Sequence, residues 1–314
     1  MKHLTLAFST LAALALALAA CSSLVPQAPG AVSTATSTLA PAAPSATAEV
    51  PATPTAKALP TATPEALPST TAEPVSGAAV SFDRLSLTLP TGVASGANGT
   101  QVAKVEGDNA GPWGVAPAHI EVNLEGYALQ GKFHQPKVYI YPAEAYAQMQ
   151  NGAAESLKRL KAILAGNSSA PLTTNELPFV PFFNAGQAFA AGAKVIPFQN
   201  GKGVRELTEY AQYPAPINNN ELIYQFEGLT SDGKYYVIAI LPVTAPDLPV
   251  DAKPDAVVPA GGVPLPDLNS ANPDFPGYYS QVQHNLESLQ PEAFTPGLDQ
   301  LDALISSMSI NTSN

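Results

Sequence analysis

Apolar and polar residues alternate in four stretches between residues 80 and 141. A period of two places the apolar side chains on one face of an extended chain, which is typical of half-buried β-strands. We therefore predict one or two strands over 80–90 and one strand in each of 101–105, 120–124 and 137–141. Loops rich in Gly, Asn and Pro separate these stretches.

A helical period follows the last of these strands. Pro142 suits the first turn of a helix, and Gly166 stands where a glycine commonly ends one. Between them, apolar residues recur three or four positions apart, which places them on one helix face. These residues are Tyr146, Met149, Ala153, Leu157, Leu160 and Leu164. The spacing predicts one amphipathic helix between Pro142 and Gly166.

The next segments predict three more strands. Residues 204–210 have the composition of a strand. Residues 222–229 and 235–241 flank the turn sequence Ser231-Asp232-Gly233, which predicts a β-hairpin. The second arm of this hairpin is apolar on both faces, so we expect it to be a central, buried strand.

Two helices are predicted near the end of the chain, after a Pro-rich loop over 242–276. The first has apolar residues at helical spacing, namely Tyr279, Val282, Leu286 and Leu289. The second begins after Thr295-Pro296 and has Leu298, Leu301, Ile305 and Met308 on its buried side. Strands joined by short loops, with a few separate helices, predict an α+β fold with a mainly antiparallel sheet.

The composition divides the chain before residue 80. Ala, Pro, Thr and Ser fill 43 of the 58 positions over 22–79, and no aromatic residue occurs there. Such a segment cannot bury enough apolar surface to offset its conformational entropy, so we predict a disordered linker. We expect a signal peptide over 1–20, a modified cysteine and linker over 21–79, and one α+β domain over 80–312.

The first residues have the pattern of an export signal. A basic start, Met1-Lys2-His3, precedes an apolar run over 4–18 that is too short to span a bilayer. The sequence Leu18-Ala19-Ala20-Cys21 resembles the lipobox of bacterial lipoproteins. The resemblance implies that Cys21 carries acyl chains and anchors the protein to a membrane on its extracytoplasmic side. An ordinary secretory signal with an incidental cysteine is the alternative.

The charge and the cysteine count exclude several classes of protein. Lys and Arg number 14 against 25 Asp and Glu, a net charge of −11, which argues against nucleic-acid binding. The single cysteine excludes an intrachain disulfide, a Cys-type zinc site and a CxxC redox motif. The Gly-x-Ser-x-Gly hydrolase motif, the His-Glu-x-x-His metalloprotease motif and the P-loop and Gly-x-Gly-x-x-Gly nucleotide-binding motifs are absent from the sequence. We therefore expect no cofactor and no metal.

Few titratable residues have the spacing that catalysis needs. His119, His134 and His284 have no partner at metal-ligand spacing. Glu121 and Glu125 share one face of a predicted strand, where they could bind a cation or act as an acid/base pair. We favour the alternative that this face is exposed to solvent. The same interpretation applies to Arg205, Glu206 and Glu209 on the later strand.

Two further groups are candidates for contact with a ligand or partner. Phe179, Phe182, Phe183 and Phe189 lie in a predicted loop, where they could line an apolar pocket, contact a partner or close one end of the core. Lys158, Arg159 and Lys161 share one predicted helix and could touch anionic lipid, although a solvated helix face is the simpler interpretation.

Short motifs in the folded part resemble proteins of the PsbP-like fold. They are Leu89-Pro90 at the end of a strand, Gly233-Lys234-Tyr235-Tyr236 in the hairpin, and Ile305-Ser306-Ser307-Met308 in the last helix. Most members of that family are accessory or assembly proteins without enzymatic activity. The resemblance implies an accessory or assembly role. Because the sequence has no catalytic constellation but has an expected anchor and linker, the leading hypothesis is a non-catalytic binding or assembly module that engages another envelope component. A lipid-tethered hydrolase and a protein that binds apolar small molecules are the alternatives.

Overall fold

A computed structural model describes residues 76–107, 110–166, 172–253 and 255–313 of the chain. The predicted signal peptide over 1–20, Cys21 and all but the last residues of the predicted linker lie outside the described residues. The first strand begins at Gly77, three residues before the predicted start of the domain.

The described residues form ten strands and five α-helices. The strands are β1 (Gly77–Phe82), β2 (Leu85–Pro90), β3 (Gly96–Val102), β4 (His119–Glu125), β5 (Lys137–Pro142), β6 (Gly186–Phe198), β7 (Gly201–Ala211), β8 (Ile223–Thr230), β9 (Tyr235–Pro242) and β10 (Ser309–Ile310). The helices are α1 (Gly111–Gly114), α2 (Ala143–Met149), α3 (Asn151–Leu164), α4 (Phe275–Ser288) and α5 (Leu298–Ser307), with a 3₁₀ turn at Pro291–Ala293.

The strands form two antiparallel sheets. Seven strands make the larger sheet in the order β3-β4-β5-β9-β8-β7-β6, and β1, β2 and β10 make the smaller one with β2 in the middle. Neighbouring strands are antiparallel throughout. The predicted α+β fold with a mainly antiparallel sheet and a few packed helices is confirmed, as is the hairpin of β8 and β9.

The larger sheet is covered on both faces over most of its width. Helices α4 and α5 pack on one face, where α5 also contacts β2 of the smaller sheet. Helices α2 and α3 pack on the other face, over β5, β7 and β8. The central strand β9 is buried along almost its whole length, as its apolar sequence predicts.

The predicted helix after Pro142 is two helices in the structure. The backbone at Gln150 is extended, with φ −141° and ψ 119°, and the helix restarts at the next residue. The Gln150 side chain accepts a hydrogen bond from the backbone N–H of Ala153, so it caps the N-terminus of α3. The spacing of apolar residues continues across the break, which is why the sequence predicts one helix. Gly166 follows the helix with φ +75°, as predicted.

The sequence-based interpretation of β7 as a strand with a solvent-facing side is wrong. Arg205, Glu206 and Glu209 are only 7%, 1% and 0% exposed. Alternation of polar and apolar residues indicates a solvent-exposed face of a strand if only one side of the sheet is covered. In this sheet both faces of β7 are covered by helices, so the polar side chains on each face are buried and hydrogen-bonded.

Candidate functional site

Five aromatic rings form a continuous series of contacts beside α2 and α3. Their ring centroids are 4.9 Å apart for Phe133 and His134, 5.0 Å for His134 and Phe183, 5.3 Å for Phe183 and Phe182, and 4.8 Å for Phe182 and Tyr139. We call these five residues the aromatic surface. The spacings and tilted or edge-on ring arrangements are those of favourable aromatic pairs.

The aromatic surface is open to solvent at one end. Phe133 is 67% exposed, and the other four rings are half-buried. Burial lowers the pKa of His134 to about 4, so its imidazole is neutral at neutral pH. At the opposite end, the ammonium of Lys137 lies 5.7 Å from the centroid of Tyr139. The surface therefore combines an apolar centre with a charged rim.

Three separate parts of the chain supply these rings. Tyr139 lies on β5, Phe133 precedes β5 in the loop from β4, and Phe182 and Phe183 lie in the segment before β6. The neighbouring strand β4 is half-exposed on the same face, because α2 and α3 pack over β5, β7 and β8. The rings gather where the helical cover ends, which leaves them in reach of another molecule.

The structure brings together three of the four predicted phenylalanines. Phe179, Phe182 and Phe183 pack at the α2 and α3 side of the sheet, where the Arg159 guanidinium lies 5.2 Å from the ring of Phe179. Phe189 instead lies in β6 and packs in the core on the opposite face. Sequence proximity suggested one cluster, but β6 begins at Gly186 and turns Phe189 away from the others.

A cavity of about 350 Å³ adjoins the chain next to Phe182, at Pro181. Pro112, Trp113, Met149 and Pro181 are among its lining residues. Trp113, the single tryptophan of the chain, is 43% exposed. The residues 178–183, which we call the aromatic segment, thus line this cavity with Pro181 and supply Phe182 and Phe183 to the aromatic surface.

The aromatic segment is held in place by buried polar side chains. The backbone N–H of Phe179 donates to Ser156 Oγ of α3 at 3.1 Å, and that of Val180 donates to the Tyr210 hydroxyl of β7 at 2.9 Å. The side-chain amide of Gln150 donates to the Pro181 carbonyl at 2.6 Å. This segment has no regular secondary structure, so these bonds fix its position.

Beneath the segment, Glu206 and Glu227 share the side-chain amide of Gln225. Gln225 Nε2 lies 3.2 Å from Glu206 Oε1 and 2.9 Å from Glu227 Oε1, and Gln225 Oε1 accepts from the Tyr210 hydroxyl. Glu227 Oε2 accepts from Ser156 Oγ at 2.8 Å and from the Tyr236 hydroxyl. Burial raises the pKa of Glu227 to about 8 and holds that of Glu206 well above its usual range.

Sequence reasoning missed this group, which we call the carboxyl network. Gln225 and Glu227 alternate along β8, and Glu206 lies opposite Gln225 on β7, so all three share one face of the sheet. The available signal was the pair Gln225 and Glu227, two residues apart in the mainly apolar strand β8. A polar residue at such a position is either exposed or part of a buried network, and only the packing of α3 decides which.

The predicted carboxylate pair on β4 has other partners in the structure. Glu121 lies 2.6 Å from Lys137 Nζ and 3.5 Å from His119 Nε2, whereas Glu125 is exposed at the end of the strand. His119 Nδ1 lies 2.9 Å from the Pro117 carbonyl oxygen. Both ring nitrogens of His119 therefore face protein atoms, which leaves neither placed to exchange a proton with a substrate.

The remaining candidates are dispersed over the surface. His284 is exposed on α4, and Lys158 and Arg159 form ion pairs with Glu155 on the same helix. Lys161 is exposed near the end of α3. Within the described residues, no group of three or more His, Cys, Asp or Glu could hold a metal ion. No helix in that part of the chain has both the length and the apolar character to span a membrane.

Comparisons with known proteins supply no relative from which a role could be transferred. The chain matches no protein-family model, and no curated protein or solved structure is significantly similar to it. The resemblances to the lipobox and to the PsbP-like fold therefore rest on the residues quoted above and stay predictions. The function of this chain is accordingly argued from its own geometry.

Proposed function

We propose that this chain is a lipid-anchored, extracytoplasmic binding module that engages another protein of the cell envelope through the aromatic surface. The observation that carries the proposal is the continuous, partly exposed series of rings ending at Phe133, which is 67% exposed. A phenylalanine side chain gains about 1.5–3 kcal/mol on burial, so leaving one exposed at the end of an aromatic cluster favours association.

The chemistry of this surface favours a protein partner. Protein interfaces are enriched in aromatic side chains at the centre and polar or charged groups at the rim. Here Tyr139, Phe182 and Phe183 form the centre, while the ion pair of Lys137 and Glu121 lies at the rim. The half-buried rings are held by their neighbours, so little conformational entropy is lost when a partner binds them.

The anchoring part of the proposal rests on the sequence. Cys21 follows a lipobox-like sequence, and two or three acyl chains would make membrane attachment effectively permanent. A disordered coil of 55 residues, the length from Ser22 to the residue before β1, averages about 40 Å from end to end. Such a linker would let the domain reach a partner away from the membrane surface.

The partner contact is tested by crosslinking in the producing cells. A photo-crosslinking phenylalanine analogue at Phe133 should capture one protein near stoichiometry. The same analogue at Val195, which is 46% exposed on the edge strand β6, is the matched control and should capture none. Equal capture at both positions, or an adduct that contains only cell-wall polymer, would overturn the assignment of a protein partner to this surface.

The lipid anchor is tested by replacing Cys21 with Ser. We expect the variant to remain an unprocessed precursor without acyl chains, because serine offers no thiol for the thioether bond. Mass spectrometry of the N-terminal peptide and labelling with a radioactive fatty acid give the result. Normal cleavage before residue 21 in the Ser variant would show an ordinary secretory signal instead.

A further inference from the structure

The carboxyl network is joined to the aromatic segment by two unbroken chains of hydrogen bonds. In the first, the Phe179 N–H donates to Ser156 Oγ, and Ser156 Oγ donates to Glu227 Oε2. In the second, the Val180 N–H donates to the Tyr210 hydroxyl, which donates to Gln225. The amide of Gln225 then donates to both glutamates. Hydrogen bonds thus connect the segment to both carboxyl groups.

No basic side chain in the described residues pairs with either carboxyl group. The titratable groups that face them are hydroxyls: Tyr146 from α2, Tyr210 from β7 and Tyr236 from β9. On α3, the Arg159 guanidinium turns away to the Leu177 carbonyl, at 3.3 Å, and to the ring of Phe179. Tyr139 and Tyr141 on β5 complete the set on this face. Two carboxylates in this setting would repel each other with no positive charge paired to either of them among the described residues.

Two polar atoms in this region have no hydrogen-bond partner. They are Glu206 Oε2 and the Tyr146 hydroxyl, both of which are buried. A charge on Glu206 would thus have one oxygen without any donor, a state that costs far more than the neutral acid. Water that reaches the network would solvate this charge. The aromatic segment covers the network without regular secondary structure, so it is the part of the cover that we expect to open.

We propose that the carboxyl network is a proton-dependent latch: proton loss from Glu206 and Glu227 releases the aromatic segment and thereby dismantles the aromatic surface. Release of the segment is a property of the fold alone. Its consequence, weaker binding of the partner at higher pH, rests on the proposed function. No covalent step is involved, since the protons pass to water when the segment opens.

The pH at which the latch opens follows from the environment of the carboxyl groups. Burial raises the pKa of Glu227 to about 8. Burial also raises the pKa of Glu206 well above its ordinary value, and repulsion from Glu227 raises it further. Glu227 therefore holds its proton at pH 6, where the segment is closed, and burial shifts the pKa of Glu206 in the same direction. Opening is favoured increasingly as the pH rises from 6 towards 8, because the open segment releases to water the proton that the closed segment holds on Glu227.

The latch is tested by amide hydrogen exchange of the full chain between pH 6 and pH 9.5, with rates corrected for intrinsic chemical exchange. We expect protection of the Phe179 and Val180 amides to fall as the pH rises from 6 to about 8, by up to about tenfold per pH unit for each carboxyl group that ionises when the segment opens, and the contribution of Glu227 to level off above about pH 8. The Val105 amide, which donates to the Ala116 carbonyl at 2.8 Å, serves as an internal reference and should keep its protection.

Variants assign the effect to the network. The double variant Glu206→Gln with Glu227→Gln cannot ionise, so its protection should not change with pH. Glu209→Gln is the matched control. Glu209 is equally buried, with its pKa raised to about 8 by burial, but it faces Asn218 at the α4 side. This control should keep the wild-type pH dependence at Phe179 and Val180.

Two results would overturn the latch: protection of both amides that stays constant to pH 9.5, or an unchanged pH dependence in the double variant. If the double variant does not fold, Ser156→Ala replaces it. Loss of the hydroxyl should lower protection of the Phe179 amide already at pH 6, and unchanged protection there would contradict the hydrogen-bond chain.

The consequence for binding has a separate readout. The yield of the crosslink at Phe133 should fall between pH 7 and pH 9 in the wild-type chain and stay constant in the double variant. If hydrogen exchange shows that the segment opens, but no crosslink forms at any pH, the latch is supported and the proposed partner contact is refuted. A crosslink that persists unchanged while exchange shows an open segment would refute the effect on binding.

Discussion

The buried carboxyl of Glu227 makes the stability of the fold depend on pH. The folded chain holds this proton up to about pH 8, because burial raises the pKa from 4.5, whereas the unfolded chain loses it near the ordinary value. The contribution of Glu227 to the free energy of unfolding is therefore highest below about pH 4.5. It falls as the pH rises through the interval between the two pKa values, and this contribution is flat above about pH 8.

The size of this effect follows from the shift in pKa. One pKa unit corresponds to about 1.4 kcal/mol, so a shift from 4.5 to about 8 is worth on the order of 5 kcal/mol across the interval. Water that enters a partly opened segment reduces this figure, which makes it an upper bound. Replacing Glu227 with Gln keeps the shape and the hydrogen-bonding capacity of the neutral acid but removes its ionisation.

The assay is urea unfolding of the full chain, followed by circular dichroism at several pH values between 5 and 8.5. At pH 5 the Glu227→Gln variant should be as stable as the wild-type chain or slightly less stable. The difference should then shift in favour of the variant by a few kcal/mol as the pH rises to 8.5. A difference that stays constant over this range would refute a raised pKa at Glu227.

Three further substitutions test separate parts of the structure. Phe133→Ala should abolish binding of the partner but change the free energy of unfolding by less than about 0.5 kcal/mol, because the side chain is exposed. Binding is measured between the purified, lipidated chain and the partner identified by crosslinking. Gln150→Ala removes a helix cap and the bond to the Pro181 carbonyl, which should cost about 1–2 kcal/mol in urea unfolding; an unchanged midpoint would show that the cap contributes nothing. Asp302→Ala leaves the buried Arg205 guanidinium without its carboxylate, and we expect a loss of about 3–5 kcal/mol, which a thermal melt would reveal as a much lower Tm.

Local periodicity was enough to predict most of the secondary structure. The hairpin of β8 and β9, the two last helices and the strands β4 and β5 lie within a few residues of their predicted positions. Each of these elements has its own pattern of apolar residues and its own turn or capping residue, so the signal is contained in a short window of sequence. The strand β6 was missed because Gly186–Phe198 is rich in Ala and Gly and contains Pro197.

The residues of the candidate site depended on contacts between distant parts of the chain. The sequence placed Phe179, Phe182 and Phe183 near one another, but it could not show that Phe133 and Tyr139 join them, because those contacts span several strands. The same holds for Glu206 and Glu227 on adjacent strands. Alternation along the sequence indicates which residues share a face of a strand. The packing of α3 decides whether that face is buried or exposed to solvent.

The sequence by itself determined the α+β class, the positions of most elements and the prediction of a lipid-anchored, tethered domain. Only the tertiary structure decided that both faces of β7 are buried and that hydrogen bonds connect the aromatic segment to two buried carboxyl groups. The physical reason is that secondary structure follows from the period of neighbouring residues, while burial and pKa follow from the elements that pack above them.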